Sequence, residues 1–277
     1  MQLSLGFSTC PNDTFMFDAL VNQRIDTQGY SFETTMADIK ELNDLAFQKE
    51  LDVTKLSYHA YAYLRDDYML LDSGSALGFN CGPLLISKKP IDRATDLKDK
   101  TVAIPGKYTT ANLLFSLAYP EVKKKKMMLF HEIEDAVLNE TVDLGLIIHE
   151  NRFTYQEKGL KKVIDLGEYW EDTYNYPIPL GGIVAKRSLG LENIARISQM
   201  LSQSVQHAFN SPTDSVEFVL KHAQEMKPEI VNQHISLYVN QYSVSLGDIG
   251  KSAVNKLFEV GASKGVFEVS NLPIFIN

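Results

Sequence analysis

The alternation of short apolar runs with amphipathic segments is the feature that most limits the fold of this chain. The runs at Leu3–Ser8, Leu51–Ser57, Gly82–Ser87, Thr101–Pro105 and Leu144–Ile148 predict strands. The segments between several of these runs have apolar residues at helical spacing and predict helices. Strands that alternate with helices form βαβ units. We therefore expect an α/β protein with mostly parallel sheets covered by helices on both faces.

The strand–helix pattern begins anew near residue 88, which indicates two lobes. The segment Pro177-Ile-Pro-Leu-Gly-Gly182 is interpreted as the return crossing. Lobe one is predicted to be discontinuous, with residues 1–88 and 181–277 and the C-terminal helices. Lobe two is predicted to be an insertion, residues 89–180. The two crossings are expected to act as a hinge, with the ligand in a central cleft.

Charge and composition exclude several classes of partner. The 277 residues have a formal net charge of -8 and a pI near 5.3, whereas nucleic acids and anionic membranes are bound mainly through excess Lys and Arg. No apolar run approaches the roughly 20 residues of a membrane span. Cys10 and Cys81, the only cysteines, lie in no C-x-x-C motif, so a disulfide framework and a thiolate metal site are not expected. The N-terminus reads as a strand and not as a leader, and a cytoplasmic location is expected.

His149 is the most informative ionisable residue, because it directly follows the buried run Leu144–Ile148. Ligands of open α/β sheets bind outside the carboxyl ends of strands, where an imidazole can transfer a proton near neutral pH. Two other interpretations stay open on position alone: His149 caps a helix, or it pairs with Glu150. The other histidines are expected to be surface or packing residues: His59, His131, His207, His222 and His234.

Four strand-to-helix junctions have small polar or ionisable residues. They are Ser8–Thr14, Lys55–Ser57, Gly106–Thr110 and His149-Glu150. Each junction offers backbone N–H groups at a helix N-terminus, which favours an anion. We therefore expect a small-molecule ligand with a carboxylate. The alternative for each junction is that its Ser, Thr or Asn only caps the helix, with Asn12 or Asp13 as the cap of a first helix from about Phe15.

Two suggestive motifs have simpler explanations. The segment His149-Glu-Asn-Arg-Phe153 begins like the zinc-protease motif H-E-x-x-H, but its fifth residue is Phe, so no metal site is predicted. The run Lys123–Lys126 is either a phosphate-binding patch or a solvated helix end. The acidic protein around it favours the solvated helix end. The chain has neither a Walker A loop nor a G-x-S-x-G elbow.

Four segments together resemble a known enzyme family. They are Ser8-Thr-Cys-Pro-Asn-Asp-Thr-Phe-Met-Phe17, Lys55-Leu-Ser57, Pro105-Gly-Lys-Tyr-Thr-Thr-Ala-Asn112 and Ile148-His-Glu-Asn-Arg-Phe-Thr-Tyr155. These segments are similar to those of the 1,4-dihydroxy-6-naphthoate synthases, enzymes of the futalosine route of menaquinone biosynthesis. The resemblance extends along essentially the whole chain.

The resemblance implies a fold and an activity. The fold would be a two-lobed, periplasmic-binding-protein-like fold of type II, with two mixed sheets flanked by helices. The activity would be that of a carbon–carbon lyase, which converts cyclic dehypoxanthinyl futalosine to 1,4-dihydroxy-6-naphthoate and releases a three-carbon fragment. Neither a metal nor an organic cofactor is expected. The sequence is compatible with a homodimer.

The resemblance also implies roles for individual residues. His149 would be the catalytic base, and Lys55, Leu56, Ser57, Thr109 and Thr110 would hold the substrate. Apart from the resemblance, the positions of Asn12, Glu150 and Arg152 beside these residues suggest supporting roles, and Glu150 or Arg152 is expected to orient His149 or to meet the substrate carboxylate. Two alternative functions remain: a chorismate dehydratase of the same pathway, and a non-catalytic solute-binding protein for small carboxylates.

Overall fold

The computed structural model describes residues 1–91, 97–223, 227–268 and 270–276. The chain divides into two compact units, Met1–Gly78 with Pro179–Asn277 (unit 1) and Phe79–Ile178 (unit 2). In the part of the chain that the structure describes, no helix is both long and apolar enough to cross a bilayer.

Unit 1 is built on a six-stranded sheet. Its strands are β1 (Gln2–Phe7), β2 (Ser31–Met36), β3 (Val53–Ser57), β4 (Tyr68–Leu70), β5 (Ala76–Gly78) and β11 (Ile178–Lys186). The strand order is β2-β1-β3-β11-β4, and β5 pairs with β11. β1 runs parallel to β2 and β3, whereas β11 runs antiparallel to β3 and β4.

Helices cover this sheet, and most of them come from the C-terminal part of the chain. They are α1 (Pro11–Val21), α2 (Ile39–Phe47), α3 (Tyr58–Leu64), α8 (Leu191–Asn210), α9 (Val216–His222), α10 (Pro228–Tyr238), α11 (Gln241–Val244) and α12 (Gly247–Ser263). Among these, α1 packs against α8, α9 and α10. The first helix therefore lies between the sheet and the C-terminal helices.

The core of unit 1 joins β1, α1, β11 and α8. Phe7 and Phe17 stack with ring centroids 4.6 Å apart and an interplanar angle of 17°. Leu5, Ile183 and Leu201 belong to the same buried cluster. Burial of a side chain of this size stabilises the fold by about 1.5–3 kcal/mol. The loop between β1 and α1 is thus held by packing on both sides.

Unit 2 has a five-stranded sheet. Its strands are β6 (Leu84–Ser87), β7 (Val102–Ile104), β8 (Lys125–Met127), β9 (Leu144–Ile147) and β10 (Lys161–Asp165), in the order β10-β6-β9-β7-β8. Its helices are α4 (Thr110–Ala118), α5 (Ile133–Leu138), α6 (Asn151–Thr154) and α7 (Leu166–Tyr174). β7 is parallel to β8 and β9, and β6 is antiparallel to β9 and β10.

A glycine in β9 brings a helix close to this sheet. A Cβ atom on Gly145 would lie 2.6 Å from Cγ2 of Ile133 and 2.8 Å from Cγ2 of Val137. Both contacts are too short for a real Cβ, so α5 packs on β9 at a distance that only glycine permits. The strand that precedes His149 is therefore fixed closely against α5.

Both sheets are mixed, as the family resemblance implied: most of the paired strands share one direction, as expected, but each sheet also has a strand that runs against its neighbours. The antiparallel members are β11 in unit 1 and β6 in unit 2. Buried strands have similar apolar sequences in either direction, so the pattern alone does not give strand direction. β6 also lies before the predicted lobe boundary at residue 88, yet it pairs with β9 and β10 of unit 2.

Candidate active site

Asp13 is the centre of a buried polar network in unit 1, here called the Asp13 network (Ser8, Asn12, Asp13, Lys55 and His234). The backbone N–H and the hydroxyl of Ser8 donate to Oδ2 of Asp13 at 3.0 and 2.6 Å. Nδ2 of Asn12 donates to Oδ1 at 2.8 Å, and the ammonium of Lys55 forms an ion pair with the same oxygen. Buried charges are tolerated when they are paired and hydrogen-bonded, which both charges of this network are.

The network depends on where α1 begins. The sequence predicted a start near Phe15 with Asn12 or Asp13 as the cap. The helix instead begins at Pro11, and Cys10 is the N-cap residue. Proline suits this first position, because its missing N–H would have had no helical partner. Asn12 and Asp13 therefore lie in the first turn, where their side chains point to other parts of unit 1.

Two members of this network were not predicted. Asp13 was considered only as a helix cap, and His234 only as a surface or packing residue. His234 is fully buried, and its Nε2 lies 2.9 Å from Oδ1 of Asn12. The two residues are 222 positions apart. No local pattern in the sequence indicates such a contact.

The end of β3 places Ser57 beside Asn43 of α2. The backbone N–H of Ser57 donates to Oδ1 of Asn43 at 3.0 Å, and Nδ2 of Asn43 donates to the Ser57 hydroxyl at 3.1 Å. Ser57 is also the N-cap residue of α3, although its side chain makes no capping hydrogen bond. Leu56 is fully buried, and its backbone pairs with Gly182 of β11. The structure therefore exposes neither the side chain nor the backbone of Leu56, and a direct substrate contact of this residue stays a prediction.

In unit 2, Thr109 caps α4. Its hydroxyl donates to the carbonyl of Gly106 at 2.9 Å and accepts from the backbone N–H of Asn112 at 3.3 Å. Thr110 is the first residue of the helix and is buried. Nδ2 of Asn112 donates to the carbonyl of Lys107 at 2.7 Å, which fixes the loop before the helix. Thr109 therefore caps α4, which is the alternative role that the sequence suggested for this residue.

Lys125 supports this loop from β8. Its ammonium donates to Oδ1 of Asn112 at 3.0 Å and to the hydroxyl of Ser116 at 2.6 Å, and it lies 5.2 Å from the ring centroid of Phe115. Burial lowers the pKa of Lys125 to about 8, and Lys123 acts in the same direction. The predicted solvated helix end is therefore wrong for Lys125, because β8 pairs with β7 and turns this side chain onto α4.

His149 follows β9 with an unusual backbone conformation. Its φ angle is 58°, in the left-handed region that residues other than glycine rarely adopt. Such a conformation costs of order 1–3 kcal/mol, persists only where the surroundings enforce it, and is often found at functional sites. The ring of Phe130 packs against the imidazole with centroids 5.0 Å apart and an interplanar angle of 67°. His149 precedes Glu150, which is buried and is the N-cap residue of α6.

Arg152 fixes the segment after His149 on one side. Its guanidinium donates to the carbonyl of Gly82, to the carbonyl of Asn80 at 2.7 Å and to Oδ2 of Asp165 at 2.6 Å. Asp165 in turn caps α7 through Gly167. A Cβ on Gly82 would lie 2.1 Å from the backbone nitrogen of Gly167, so the two backbones need glycine to meet here. These contacts occupy Arg152 inside unit 2.

Glu134 fixes the same segment on its other side and was not predicted. It is almost fully buried on α5. Its Oε2 accepts from Nδ2 of Asn151 at 2.7 Å and from the ammonium of Lys158 at 2.7 Å. One partner, Asn151, is the first residue of the short helix α6, and the other, Lys158, follows this helix. Arg152 and Glu134 together can therefore hold the segment that places His149.

Comparison with solved structures defines the class of fold. The chain is similar to the ligand-binding component of an ABC-type import system from Staphylococcus aureus, with a TM-score of 0.74, 13% identity and coverage of 100% of this chain and 96% of the other. It is also similar to the periplasmic aliphatic sulphonate binding protein of Escherichia coli, with a TM-score of 0.67, 11% identity and coverage of 99% and 90%. The protein has a periplasmic-binding-protein-like fold, as predicted.

Sequence comparison defines the family. The profile of the menaquinone biosynthesis family matches residues 3–263. A 1,4-dihydroxy-6-naphthoate synthase of Streptomyces coelicolor is 44% identical and covers 95% of this chain and 94% of its own. One from Thermus thermophilus is 40% identical, with 99% of each chain covered. A solved protein from Archaeoglobus fulgidus has a TM-score of 0.90 and 34% identity over 96% of this chain and 98% of its own. The chain belongs to the menaquinone biosynthesis family, which confirms the resemblance seen in the sequence.

Proposed function

We propose that this protein is a 1,4-dihydroxy-6-naphthoate synthase. It would convert cyclic dehypoxanthinyl futalosine to 1,4-dihydroxy-6-naphthoate as a carbon–carbon lyase and release a three-carbon fragment. The observation on which this proposal rests is the identity of 40–44% to two enzymes of that name over 95–99% of the chain. Action in the cytoplasm, without a cofactor, is part of the proposal.

In this proposal His149 is the general base. The substrate has acidic C–H positions beside carbonyl groups and becomes aromatic after the C–C bond breaks. Aromatisation supplies driving force, so the protein mainly needs a base and firm positioning. General base catalysis contributes typically about 10²–10⁴-fold to a rate. Support for His149 comes from its place after β9, its strained backbone and the close ring of Phe130.

The proposed substrate contacts follow from the donors that each residue offers. An ammonium has three N–H groups, and Asp13 accepts from that of Lys55. Asp13 also neutralises the charge of Lys55, so Lys55 would bind a substrate oxygen mainly through directed hydrogen bonds. The Ser57 hydroxyl accepts from Asn43 and can itself donate to the substrate. The hydroxyl and the backbone N–H of Thr109 both donate to the carbonyl of Gly106, so Thr109 would act mainly by shaping the start of α4. Thr110, the first residue of that helix, would make the closer contact with the substrate.

The supporting residues receive narrower roles. Arg152 makes three hydrogen bonds inside unit 2, so we assign it to positioning the segment after His149 and not to the substrate carboxylate. Asn12 would orient the carboxylate of Asp13 through its amide. Glu150 is proposed to orient His149.

The family's fold also occurs in solute-binding proteins, so binding without catalysis is the competing function.

The experiment is to incubate the purified protein separately with cyclic dehypoxanthinyl futalosine and with chorismate. Products are followed by naphthoate absorbance and mass spectrometry. The proposal predicts 1,4-dihydroxy-6-naphthoate from the first compound and no change in chorismate. Dehydration of chorismate would instead indicate the other enzyme of the pathway. Tight binding of cyclic dehypoxanthinyl futalosine, with recovery of the unchanged compound after long incubation, would indicate a solute-binding protein.

A further inference from the structure

His234 is a buried histidine for which the proposed reaction has no use. It lies on α10, where Val231, His234 and Tyr238 form the buried face. The ring of Tyr238 packs against the imidazole with centroids 4.7 Å apart. A polar group at a core position is unfavourable unless hydrogen bonds satisfy it. We therefore expect the ring nitrogens of His234 to take part in hydrogen bonds that matter for the protein.

The hydrogen bonds fix the direction in which His234 acts. Asp13 accepts from Ser8 and Lys55 as a carboxylate, so the amide group of Asn12 that faces it must be the donor, Nδ2. The amide oxygen of Asn12 then faces His234 and can only accept. Nε2 of His234, 2.9 Å from that oxygen, must therefore carry a proton.

The hydrogen bond from His234 to Asn12 begins a series of contacts that leads from α10 to Lys55 near the end of β3. His234 donates to Asn12, Asn12 donates to Asp13, and Asp13 pairs with Lys55. All four residues are at least nine-tenths buried. Loss of the Nε2 proton donor would leave the Asn12 amide free to rotate, and a rotated amide would present its oxygen to the Asp13 carboxylate. The position of the Lys55 ammonium depends on that carboxylate.

We propose that His234 is a positioning residue, which orients Asn12 and Asp13 so that the Lys55 ammonium is directed at the substrate. This inference rests on the proposed function and extends it to a residue of the C-terminal helices. His234 itself contacts no substrate atom in this role. Its effect on the reaction is expected to depend on Lys55.

The first test compares His234→Leu with His234→Gln. The amide nitrogen of glutamine reaches about as far as Nε2 and keeps a donor, whereas leucine removes it. We expect His234→Leu to lower kcat/KM about 10-fold, mainly through a higher KM, and His234→Gln to stay within about threefold of the wild type. The matched control is His207→Leu. It removes the contact between His207 and Asp214, which also lies in unit 1, and should leave the kinetics unchanged.

The second test is a double-mutant cycle with Lys55→Met. If His234 acts through Lys55, His234→Leu should change kcat/KM less than about twofold in the Lys55→Met background. A Lys55→Met variant with normal kinetics would contradict the proposed substrate site. A damaging Lys55→Met together with a harmless His234→Leu would contradict the role of His234 and leave that site intact.

A spectroscopic measurement covers the case in which His234→Leu does not fold. The ¹⁵N shifts of the imidazole in the wild-type protein distinguish a protonated from an unprotonated Nε2, with folded His234→Gln used to assign the signals. The inference predicts a protonated Nε2 at neutral pH. An unprotonated Nε2 would overturn it whatever the kinetics of the variants.

Discussion

Phe130 packs edge-to-face against His149, with ring centroids 5.0 Å apart and an interplanar angle of 67°. Both residues belong to unit 2, and Phe130 lies in a short 3-10 helix directly before α5. The contact restricts the imidazole on one side. It therefore limits the orientations that the proposed base can adopt.

Replacement of this ring should slow the chemical step. Phe130→Leu is expected to lower kcat about 2–10-fold with little change in KM, because an aromatic pair is worth about 0.5–1.5 kcal/mol beyond simple burial. Phe130→Tyr keeps the ring and should remain within about twofold of the wild type. Steady-state kinetics across pH would measure both variants. A Phe130→Leu enzyme with unchanged kcat and pH profile would show that the contact does not serve catalysis.

Arg152 should be important for the stability of unit 2. Arg152→Met would leave the carboxylate of Asp165 buried without its cation, and we expect the free energy of unfolding to fall by about 3–5 kcal/mol. The matched control is Lys162→Met, which removes an exposed pair with Glu168 and should cost less than about 1 kcal/mol. Urea unfolding measures both. Equal losses in the two variants would contradict the importance of the Arg152–Asp165 pair for the stability of unit 2.

Lys125 should make stability depend on pH. Its pKa in the folded protein is about 8, whereas the ordinary value is 10.5. Between these values the unfolded chain holds a proton at Lys125 that the folded protein has lost, so the free energy of unfolding should rise with pH. The neutral amine keeps two N–H groups, enough for its bonds to Asn112 and Ser116.

The measurement for Lys125 is urea unfolding from pH 7 to pH 10.5. The rise above pH 8 should be smaller in Lys125→Met than in the wild type. Lys126→Met changes an exposed lysine of the same strand and should leave the rise unchanged. If the free energy of unfolding rises equally with pH in Lys125→Met and in the wild type, the lowered pKa of Lys125 is contradicted.

The sequence predicted the positions of most strands, because apolar runs such as Leu144–Ile148 are local signals. It also predicted that strands lead into helices near Asn12, Ser57, Thr109 and His149. It could not predict strand direction, since a buried strand such as β11 reads alike in both directions. The start of α1 was placed too late, because the polar residues after Pro11 resemble helix caps.

The residues that the sequence missed act through partners distant in the chain or through burial. His234 contacts Asn12 across 222 positions, and Glu134 contacts Asn151 across 17. Lys125 lies within four consecutive lysines that look solvated until β8 pairs with β7. The left-handed backbone of His149 likewise has no local signal, since no glycine occupies the position.

The role of His149 as the base is tested most directly by three substitutions measured together. His149→Gly and His149→Asn both suit a left-handed backbone, whereas His149→Ala shares the strain of the native residue, so comparison separates side-chain chemistry from backbone effects. We predict that all three lower kcat at least about 100-fold and change the dissociation constant for cyclic dehypoxanthinyl futalosine less than about threefold. A near-normal rate in any of the three would contradict the assignment of His149 as the base.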